Sequence, residues 1–492
     1  MREKCIVIGG GLGGLSAAIR LAHHGYEVEL FEQNTHLGGK MNAHTTRGYR
    51  FDTGPSLLTM PFVVDDLYAS MGLDRKDFLE FIPVEPICRY FWESGTRFDA
   101  SSDINFMKEQ LASIAPMDAG QLEAYFRYTQ RIYDITADIF LFTPIHEIRK
   151  LLNLHTLKSL FRLPKIDATR TVHEGVSRFF SHPEIVQLFD RYATYNGSDP
   201  YRAPATLNII PYVEYELGCF YVNGGMYRLV EELGNLARDA GVMIHLDARI
   251  EKILHHKGRI HGIATGGEEI PADAVLSNAD VVHAYDKLID GFDRSAARLR
   301  RLEPSLSGFV FLWGVKGRES SLAHHNIFFS RDYKAEFKHI FQDRTISADP
   351  TVYVSITGKR DPDHAPEGCE NWFVLVNTPY LDDSLTWAED VDRIRTIVLN
   401  KIKRSGFDIA DRIETEHTIS PQDFYDLYSS NRGSIYGISS NSRTAAFRRP
   451  PNRNRDIRGL YFAGGSSHPG GGVPLAILSG QLSAELITEY LN

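Results

Sequence analysis

The sequence has few cysteines, and they lie far apart. Only Cys5, Cys88, Cys219 and Cys369 occur in 492 residues, and no two of them form a C-x-x-C pair. Zinc ribbons and dithiol redox motifs need such pairs, so we expect neither of them and assign no metal site. A disulfide framework is typical of short secreted chains, so we expect a reducing, cytoplasmic environment.

The sequence also lacks long apolar runs and an excess of positive charge. No run of 18 or more apolar residues occurs, so we expect no transmembrane helix. The opening residues MREKCIVIG lead directly into a strand pattern, and we expect no signal peptide. With 54 Lys and Arg against 63 Asp and Glu, the net charge is −9. Phosphate binding needs a basic field, which argues against nucleic acid as a partner.

What is present is typical of a globular protein with more than one domain. Hydrophobic residues make up 43% and charged residues 24% of the chain, which excludes wholesale disorder. Apolar patterns predict a strand at 5–8, a helix at 12–24 and a strand at 27–32. Residues 62–200 have a mostly helical pattern, 222–285 alternate between helix and strand, 305–440 are rich in strand patterns, and 460–491 end in glycines and a helix.

The strongest motif is GGGLGG at residues 9–14, between the first strand and the first helix. In such a G-x-G-x-x-G, Gly9 permits the turn, Gly11 lets the backbone approach a pyrophosphate, and Gly14 lets helix and strand pack closely. Leu12 and Gly13 begin the helix, whose free N–H groups and positive dipole end favour phosphate. Together these features predict a dinucleotide site.

An acidic residue and a second glycine pair narrow the choice of dinucleotide. Glu32 ends the second strand 18 residues after Gly14, where a carboxylate accepts a ribose hydroxyl and disfavours a 2′-phosphate, as in NADP. Gly39 and Lys40 follow in LGGK, and Gly54 and Pro55 form a rigid turn. A second glycine pair followed by a cation can approach the pyrophosphate from the other side, which favours tightly held FAD over exchangeable NAD. The turn is expected to run along a flavin. No second G-x-G-x-x-G occurs, which disfavours reductases with separate FAD and NAD(P)H modules.

Four further stretches carry a resemblance to a known family. They are EQNTHLGGK at 32–40, YNGSDP at 195–200, NGGMYRL at 223–229 with VLSNAD at 275–280, and GLYFAGGSSHPGGGVP at 459–474. The set resembles the bacterial-type carotenoid (phytoene) desaturases of the flavin amine oxidase superfamily, in the same order along essentially the whole chain. Phytoene desaturases proper usually have THPGAG where this chain has SHPGGG, which is more similar to hydroxycarotenoid 3,4-desaturases and diapocarotenoid oxygenases.

The resemblance implies an α/β fold with a discontinuous Rossmann-like FAD-binding domain, a mixed β-sheet substrate domain and a helical cap. The implied FAD domain comprises 1–61, 222–285 and 441–492, and the substrate domain comprises 86–100, 201–221 and 286–440. The implied cap comprises 62–85 and 101–200. Residues that match the family's FAD motifs are Gly9, Gly11, Gly14, Glu32, Gly39 and Lys40 for the ADP half, Ile250 beside adenine, and Gly464, Gly465, Gly472, Val473 and Pro474 along the isoalloxazine.

Four residues, His468, Asp52, Arg191 and Tyr195, are candidates for catalysis or substrate contact. His468 lies beside the flavin motif and is expected to touch substrate or the proton path, or else to bond the loop backbone. Asp52 is a second catalytic candidate, with capping of its own turn as the alternative. Arg191 and Tyr195 are candidates for the substrate cavity, or for core or surface positions.

Residues 148–165 form a basic amphipathic stretch with five cations, Arg149, Lys150, Lys158, Arg162 and Lys165. Because carotenoids dissolve only in membranes, we expect this stretch to contact an anionic bilayer peripherally, with a lid helix as the alternative.

The function expected from the resemblance is desaturation of an apolar polyene by hydride transfer to flavin N5, with oxygen or quinone as the final acceptor. Three alternatives remain open: a carotenoid terminal oxygenase, a polar-amine oxidase, and a non-enzymatic prenyl-lipid escort protein on the same fold. No pattern in the sequence predicts the oligomeric state.

Overall fold

The computed structural model describes residues 2–151, 162, 165–382 and 387–491. Its strands are Lys4–Ile8, Glu27–Phe31, Ala43–Thr46, Tyr49–Asp52, Phe81–Pro83, Cys88–Phe91, Arg97–Ala100, Phe220–Val222, Met243–His245, Ile250–His256, Arg259–Thr265, Glu268–Pro271, Ala274–Ser277, Ser307–Lys316, His325–Phe328, Val352–Ser355, Cys369–Thr378, Ile413–Ile419 and Leu460–Phe462. Its α-helices are Leu12–His23, Phe62–Ser70, Ile104–Ile114, Pro116–Ala119, Leu122–Phe140, Ile148–Leu151, Val172–Val176, Pro183–Asp190, Ile209–Tyr215, Arg228–Asp239, Val281–His283, Asp293–Arg300, Tyr333–Lys338, Trp387–Arg404, Pro421–Tyr428, Ala445–Arg448 and Val473–Leu491.

A five-stranded parallel sheet brings together distant parts of the chain. Its order is Leu460–Phe462, Ala274–Ser277, Lys4–Ile8, Glu27–Phe31 and Met243–His245. The first strand is almost fully buried, as its apolar sequence CIVI predicts for a central parallel strand. The predicted β–α–β unit at the start of the chain is therefore confirmed to within a residue at each end.

Two helices cover one face of the parallel sheet. The first helix, Leu12–His23, packs along the C-terminal helix, Val473–Leu491. On the other face lies the antiparallel sheet formed by Ile250–His256, Arg259–Thr265 and Glu268–Pro271. Its isoleucines share a core with apolar residues of the parallel strands. Both faces are thus covered, as a parallel sheet requires.

A seven-stranded mixed sheet forms the second large layer. Its order is Ile413–Ile419, Ser307–Lys316, Cys369–Thr378, Val352–Ser355, His325–Phe328, Cys88–Phe91 and Arg97–Ala100. Alternate residues of its strands, such as Phe309 and Val374, pack against the helix Trp387–Arg404. The intervening residues, such as Val310 and Phe373, point to the opposite face.

Some predicted elements differ from the observed ones. The stretch 62–200, predicted as mostly helical, contains the strands Phe81–Pro83, Cys88–Phe91 and Arg97–Ala100. Each has only three or four residues, too few to show a clear period of two. Within 222–285, predicted to alternate between helix and strand, the neighbouring strands Met243–His245 and Ile250–His256 belong to different sheets.

The described helices include none that is both long and apolar enough to cross a bilayer. The fold class is α/β, with a parallel sheet, a mixed sheet and many helices, as predicted. The division into three domains with the boundaries given above stays a prediction.

Candidate active site

A cavity of about 690 Å³ runs along both the parallel and the mixed sheet. Its wall includes most of the predicted site residues, namely Gly9, Gly11, Leu12, Gly13, Glu32, Gly39, Lys40, Gly54, Pro55, Arg191, Tyr195, Ile250, Gly464, Gly465, His468, Gly472, Val473 and Pro474. Gly14 and Asp52 do not line it. The fold therefore brings six separate stretches of sequence, 9–13, 32–40, 54–55, 191–195, 250 and 464–474, to one continuous space.

The first glycine loop has the geometry of an anion site. Gly9 has φ +95°, a left-handed conformation that favours glycine. A Cβ on Gly14 would collide with the carbonyl oxygen of Gly9, so the predicted close packing is present. No side chain caps the first helix at Gly11, and its first turn carries no acidic residue. Its N–H groups and positive dipole end are thus suited to a phosphate.

Glu32 lies on the cavity wall at the end of the second strand and is buried. Its Oε2 accepts a hydrogen bond from the Gly10 N–H at 2.8 Å, and its Oε1 accepts from the backbone N–H of Asn34 at 2.9 Å. These bonds fix the carboxylate beside the glycine loop, where a sugar hydroxyl would donate to it.

Asn278 is a residue of this site that sequence reasoning did not assign. It follows the strand Ala274–Ser277, and its side-chain Nδ2 donates to the Gly9 carbonyl at 3.2 Å. A Cβ on Gly11 would lie 2.9 Å from Nδ2, and one on Gly13 would lie 2.7 Å from Oδ1. The Oδ1 atom is buried without a hydrogen-bond partner among the described residues. The glycine-rich loop is therefore shaped around this amide as well as around a ligand.

Lys40 is half-buried and donates from Nζ to the carbonyls of Ser434 at 3.0 Å and Ile435 at 2.7 Å. Burial lowers its pKa to about 8, while the nearby Asp280 carboxylate acts in the opposite direction. A Cβ on Gly54 would collide with the carbonyl of Lys40, so the LGGK turn and the turn at Gly54 and Pro55 are in direct contact.

The last glycine motif reaches the cavity beside the start of the first helix, since a Cβ on Gly13 would lie 2.8 Å from the backbone nitrogen of Gly464. A Cβ on Gly464, which has φ +92°, would lie 2.5 Å from Asn278 Oδ1. Gly472 has φ +113° and open space around it, so its backbone conformation rather than crowding favours glycine there. The C-terminal helix begins at Val473, and its N-terminal end lies on the cavity wall.

His468 lines the cavity but is only 2% exposed. Its Nε2 lies 2.8 Å from the carbonyl oxygen of Thr143, so we assign the proton to Nε2 as the donor. Burial lowers the pKa of His468 to about 3, and the imidazole is neutral at physiological pH. The bond to a loop carbonyl corresponds to the structural alternative for this residue, and its place on the wall still allows contact with substrate.

Asp52 has contacts that favour a structural role. Its carboxylate accepts hydrogen bonds from the backbone N–H groups of Met226 at 2.9 Å and Tyr227 at 3.1 Å, and it pairs with Arg50 at 3.0 Å. Because it lies outside the cavity wall and its oxygens are occupied, we do not retain it as a catalytic candidate. The sequence pattern could not show the two backbone partners, which lie 174 and 175 residues away.

Arg191 and Tyr195 belong to a buried polar cluster on the cavity wall. Arg191 pairs with Glu214 at 2.9 Å and donates to the Tyr90 hydroxyl at 2.7 Å. Tyr192 and Tyr195 both donate to the Glu214 carboxylate. The charges are thus satisfied within the cluster, which explains how two ionised groups are tolerated beside an apolar space.

The mixed sheet supplies an apolar floor to the same cavity. Alternate strand residues face it, and they are Val310, His325, Ile327, Tyr353, Phe373 and Leu375. The helix Ile209–Tyr215 contributes further apolar side chains, including Ile209 and Val213. An elongated hydrocarbon with few polar groups matches a surface of this kind.

The residues of the glycine-lined part fit FAD. Glycines stand where side chains would fill the space for the cofactor. The uncapped end of the first helix and the buried carboxylate of Glu32 are in the expected places, and Ile250 lies on the same wall. Gly9, Gly11, Glu32 and the first-turn amides would hold the ADP half, and the stretch from Gly464 to Pro474 would hold the flavin half.

Comparison with known proteins decides the family. Residues 12–488 match the family described as flavin containing amine oxidoreductase. The chain belongs to this family. It is 40% identical over 486 residues to a 1-hydroxycarotenoid 3,4-desaturase of Flavobacterium sp. (strain P99-3), covering 99% of each chain. It is 38% identical over 494 residues to a 4,4'-diapolycopene oxygenase of Methylomonas sp, covering 100% of this chain and 99% of that one.

Solved structures agree at the level of the fold. An oxidoreductase from Methanosarcina mazei has a TM-score of 0.64 and 16% identity, covering 98% of this chain and 100% of that one. The flavoenzyme family, the α/β fold, the FAD cofactor and the oxidoreductase activity predicted from sequence are thereby confirmed, and the relatives are carotenoid desaturases and oxygenases. The predicted membrane segment 148–165 lies mostly outside the described residues.

Proposed function

We propose that this protein is an FAD-dependent carotenoid desaturase that forms C=C bonds in a polyene. The observation that carries the proposal is the single continuous cavity, in which the glycine-lined cradle and the apolar floor of the mixed sheet meet. Bound FAD supplies the oxidation by accepting a hydride at N5. The chain's own residues orient the polyene along Val310, Phe373 and Leu375, and they exclude water from the reacting carbons.

The first test is anaerobic. The protein, reconstituted with FAD, is mixed with liposomes that carry carotenes and hydroxycarotenes, and the flavin absorbance and product mass are recorded. We expect the flavin band to bleach and the product to be lighter by two hydrogens. A protein that takes up no flavin would instead support the prenyl-lipid escort, and bleaching by polar amines alone would support an amine oxidase.

A cavity-filling pair of variants tests whether the polyene occupies this space. Val213 lines the cavity, whereas Tyr212, its neighbour on the same helix, packs against Tyr133 and does not. We expect Val213→Trp to retain the flavin spectrum and lose most turnover, because the indole fills the channel. Tyr212→Trp should keep both. Equal turnover in the two variants would contradict this position for the substrate.

A terminal oxygenase is the second candidate, favoured by the 38% identity to a diapolycopene oxygenase. It predicts no anaerobic bleaching by any polyene, and a product that gains oxygen when air is admitted. Oxygen or a quinone is the acceptor that we propose for the desaturase, and stopped-flow reoxidation of the reduced protein by each distinguishes them.

We also propose peripheral contact with a membrane at the mouth of the cavity. Phe447 lines the cavity yet is 59% exposed, and it packs on Phe140 at 5.5 Å between ring centroids. An apolar ring at an opening suits extraction of a substrate that dissolves only in lipid. We expect Phe447→Asp to reduce flotation with anionic liposomes. Met117→Asp, at an exposed apolar residue away from the cavity, should float as the wild type does.

A further inference from the structure

Arg449 is a buried arginine with no acidic partner among the described residues. It is 5% exposed and lines the cavity. Within the described part of the chain its guanidinium makes only two hydrogen bonds, both to backbone carbonyls, from Nη1 to Gly465 at 3.0 Å and from Nη2 to Ile438 at 3.3 Å. A guanidinium has five N–H donors, so the remaining donors lack a partner there.

The other buried arginines of the described residues have side-chain partners. Arg191 pairs with Glu214 at 2.9 Å. Arg20 donates to the side-chain oxygens of Ser16 at 2.9 Å and Gln481 at 3.1 Å, and Glu485 and Asp66 partly offset the effect of burial, which lowers its pKa to about 10. For Arg449, burial alone shifts the pKa, which it lowers to about 10, and no carboxylate opposes the shift. The group therefore remains charged at neutral pH, and burying a charge in this way costs several kcal/mol unless an anion offsets it.

The position of Arg449 indicates which anion this is. A Cβ on Gly470 would lie 3.3 Å from Arg449 Cζ, so the guanidinium packs directly against the glycine motif of the flavin half. Lys40, a half-buried cation on this wall, has Asp280 as a neighbouring carboxylate. Arg449 thus leaves an uncompensated positive charge next to the site of the isoalloxazine.

We propose that Arg449 stabilises the negative charge that the flavin carries once it is reduced. In desaturation a hydride, with two electrons, would pass from one C–H bond to bound FAD, while the electron pair of the adjacent C–H bond forms the C=C bond and its proton passes to solvent. The hydride makes the flavin ring an anion until a proton arrives. A preorganised cation in a site without water stabilises that charge strongly. The N-terminal end of the helix Val473–Leu491 acts in the same direction.

This inference rests on the flavin half of the proposed function and not on the carotenoid half. It is therefore tested with sulfite, which needs no polyene. Sulfite uses its sulfur lone pair to form a bond to flavin N5 and leaves a negative charge on the ring, so its affinity reports the charge around the flavin. The midpoint potential of the bound FAD is the second measurement.

We expect Arg449→Gln and Arg449→Met, loaded with FAD, to bind sulfite at least about tenfold more weakly, since tenfold corresponds to about 1.4 kcal/mol and one charge at short range exceeds that. Their midpoint potentials should fall. Arg449→Lys keeps the charge and should stay near the wild type in both measurements. Arg20→Gln, which removes a buried arginine away from the cavity, is the matched control and should change neither.

Wild-type sulfite affinity and potential in Arg449→Gln would overturn the proposal. So would an equal loss in Arg449→Lys, because the shape of the arginine rather than its charge would then matter. If both neutral variants fold by circular dichroism but fail to retain FAD at saturating concentration, Arg449 shapes the pocket, and the proposal is also overturned. A carotenoid assay that fails while sulfite behaves as expected would affect only the substrate assignment.

Discussion

At the scale of single residues, the glycine motif has two functions that the sequence cannot separate. Gly11 was interpreted as the residue that lets the backbone approach a pyrophosphate. In the structure, the nearest atom to a Cβ at Gly11 is Nδ2 of Asn278, at 2.9 Å. The glycine therefore makes room for a side chain that lies 267 residues later in the sequence, as well as for a ligand.

The double variant Gly11→Ala with Asn278→Ala separates these two functions. We expect Gly11→Ala alone to destabilise the apoprotein by about 1–3 kcal/mol, because an extra methyl group must displace the amide. The double variant should recover most of this loss, since the methyl group then has space. Urea unfolding of the four proteins of the cycle measures the coupling.

Flavin titration of the same four proteins tests whether Gly11 also makes room for the cofactor. Recovery of stability without recovery of FAD affinity would show that Gly11 also faces the cofactor. No coupling between the two positions would contradict the packing role of Asn278. Gly120→Ala, at a helix end with open space, is the control and should be close to neutral.

At the scale of elements, the first and the last helix are in close contact. Leu12–His23 packs along Val473–Leu491. A Cβ on Gly480 would collide with the carbonyl of Gly13 and lie 2.9 Å from Ser16 Cβ. The helices are therefore close enough that only glycine fits at their crossing.

We expect Gly480→Ala to push the two helices apart and to cost about 1–3 kcal/mol of stability. It should also weaken FAD binding, because both helices begin at the cavity wall. His23→Ala, at an exposed position at the end of the first helix, should stay within about 0.5 kcal/mol of wild type. Thermal unfolding and FAD titration of both variants test this, and equal behaviour would contradict the tight crossing.

At the scale of the whole molecule, buried neutral histidines connect stability to pH. Burial lowers the pKa values of His468 and His325 to about 3, and it also lowers the pKa of His324 well below its usual range. In the unfolded chain a histidine has a pKa of about 6.5. Below pH 6.5 the unfolded state therefore binds protons that the folded state does not, and their contribution to stability is present above this pH and lost as the pH falls.

We expect His468→Gln to lose less stability than the wild type between pH 6.5 and pH 5. Each such histidine contributes up to about 1.4 kcal/mol per pH unit in this range. Urea unfolding midpoints at several pH values measure the difference, and His23→Gln, at an exposed site, should retain the wild-type slope. Parallel slopes for all three proteins would show that His468 is not the source.

The β–α–β unit, the glycine loop with Glu32 and the flavin cofactor could be predicted from local motifs. Each motif consists of residues that are close in sequence: a turn, a helix start and an acid at a given spacing. The apolar pattern did not predict short strands such as Cys88–Phe91, because four residues show little periodicity. The role of Asp52 could not be predicted because its backbone partners are supplied by a distant turn.

The sequence alone was enough to identify the family and the α/β class and to predict which residues hold the ADP half, because these depend on local backbone requirements. Which side chains share the cavity became clear only from the folded structure. Folding brings together residues that are distant in sequence. They form the apolar floor of the cavity, the ion pair of Arg191 and Glu214, the contact of Asn278 with the glycine loop, and the buried Arg449, which has no carboxylate partner among the described residues. Their burial and partners, which set their energies, exist only once the chain has folded.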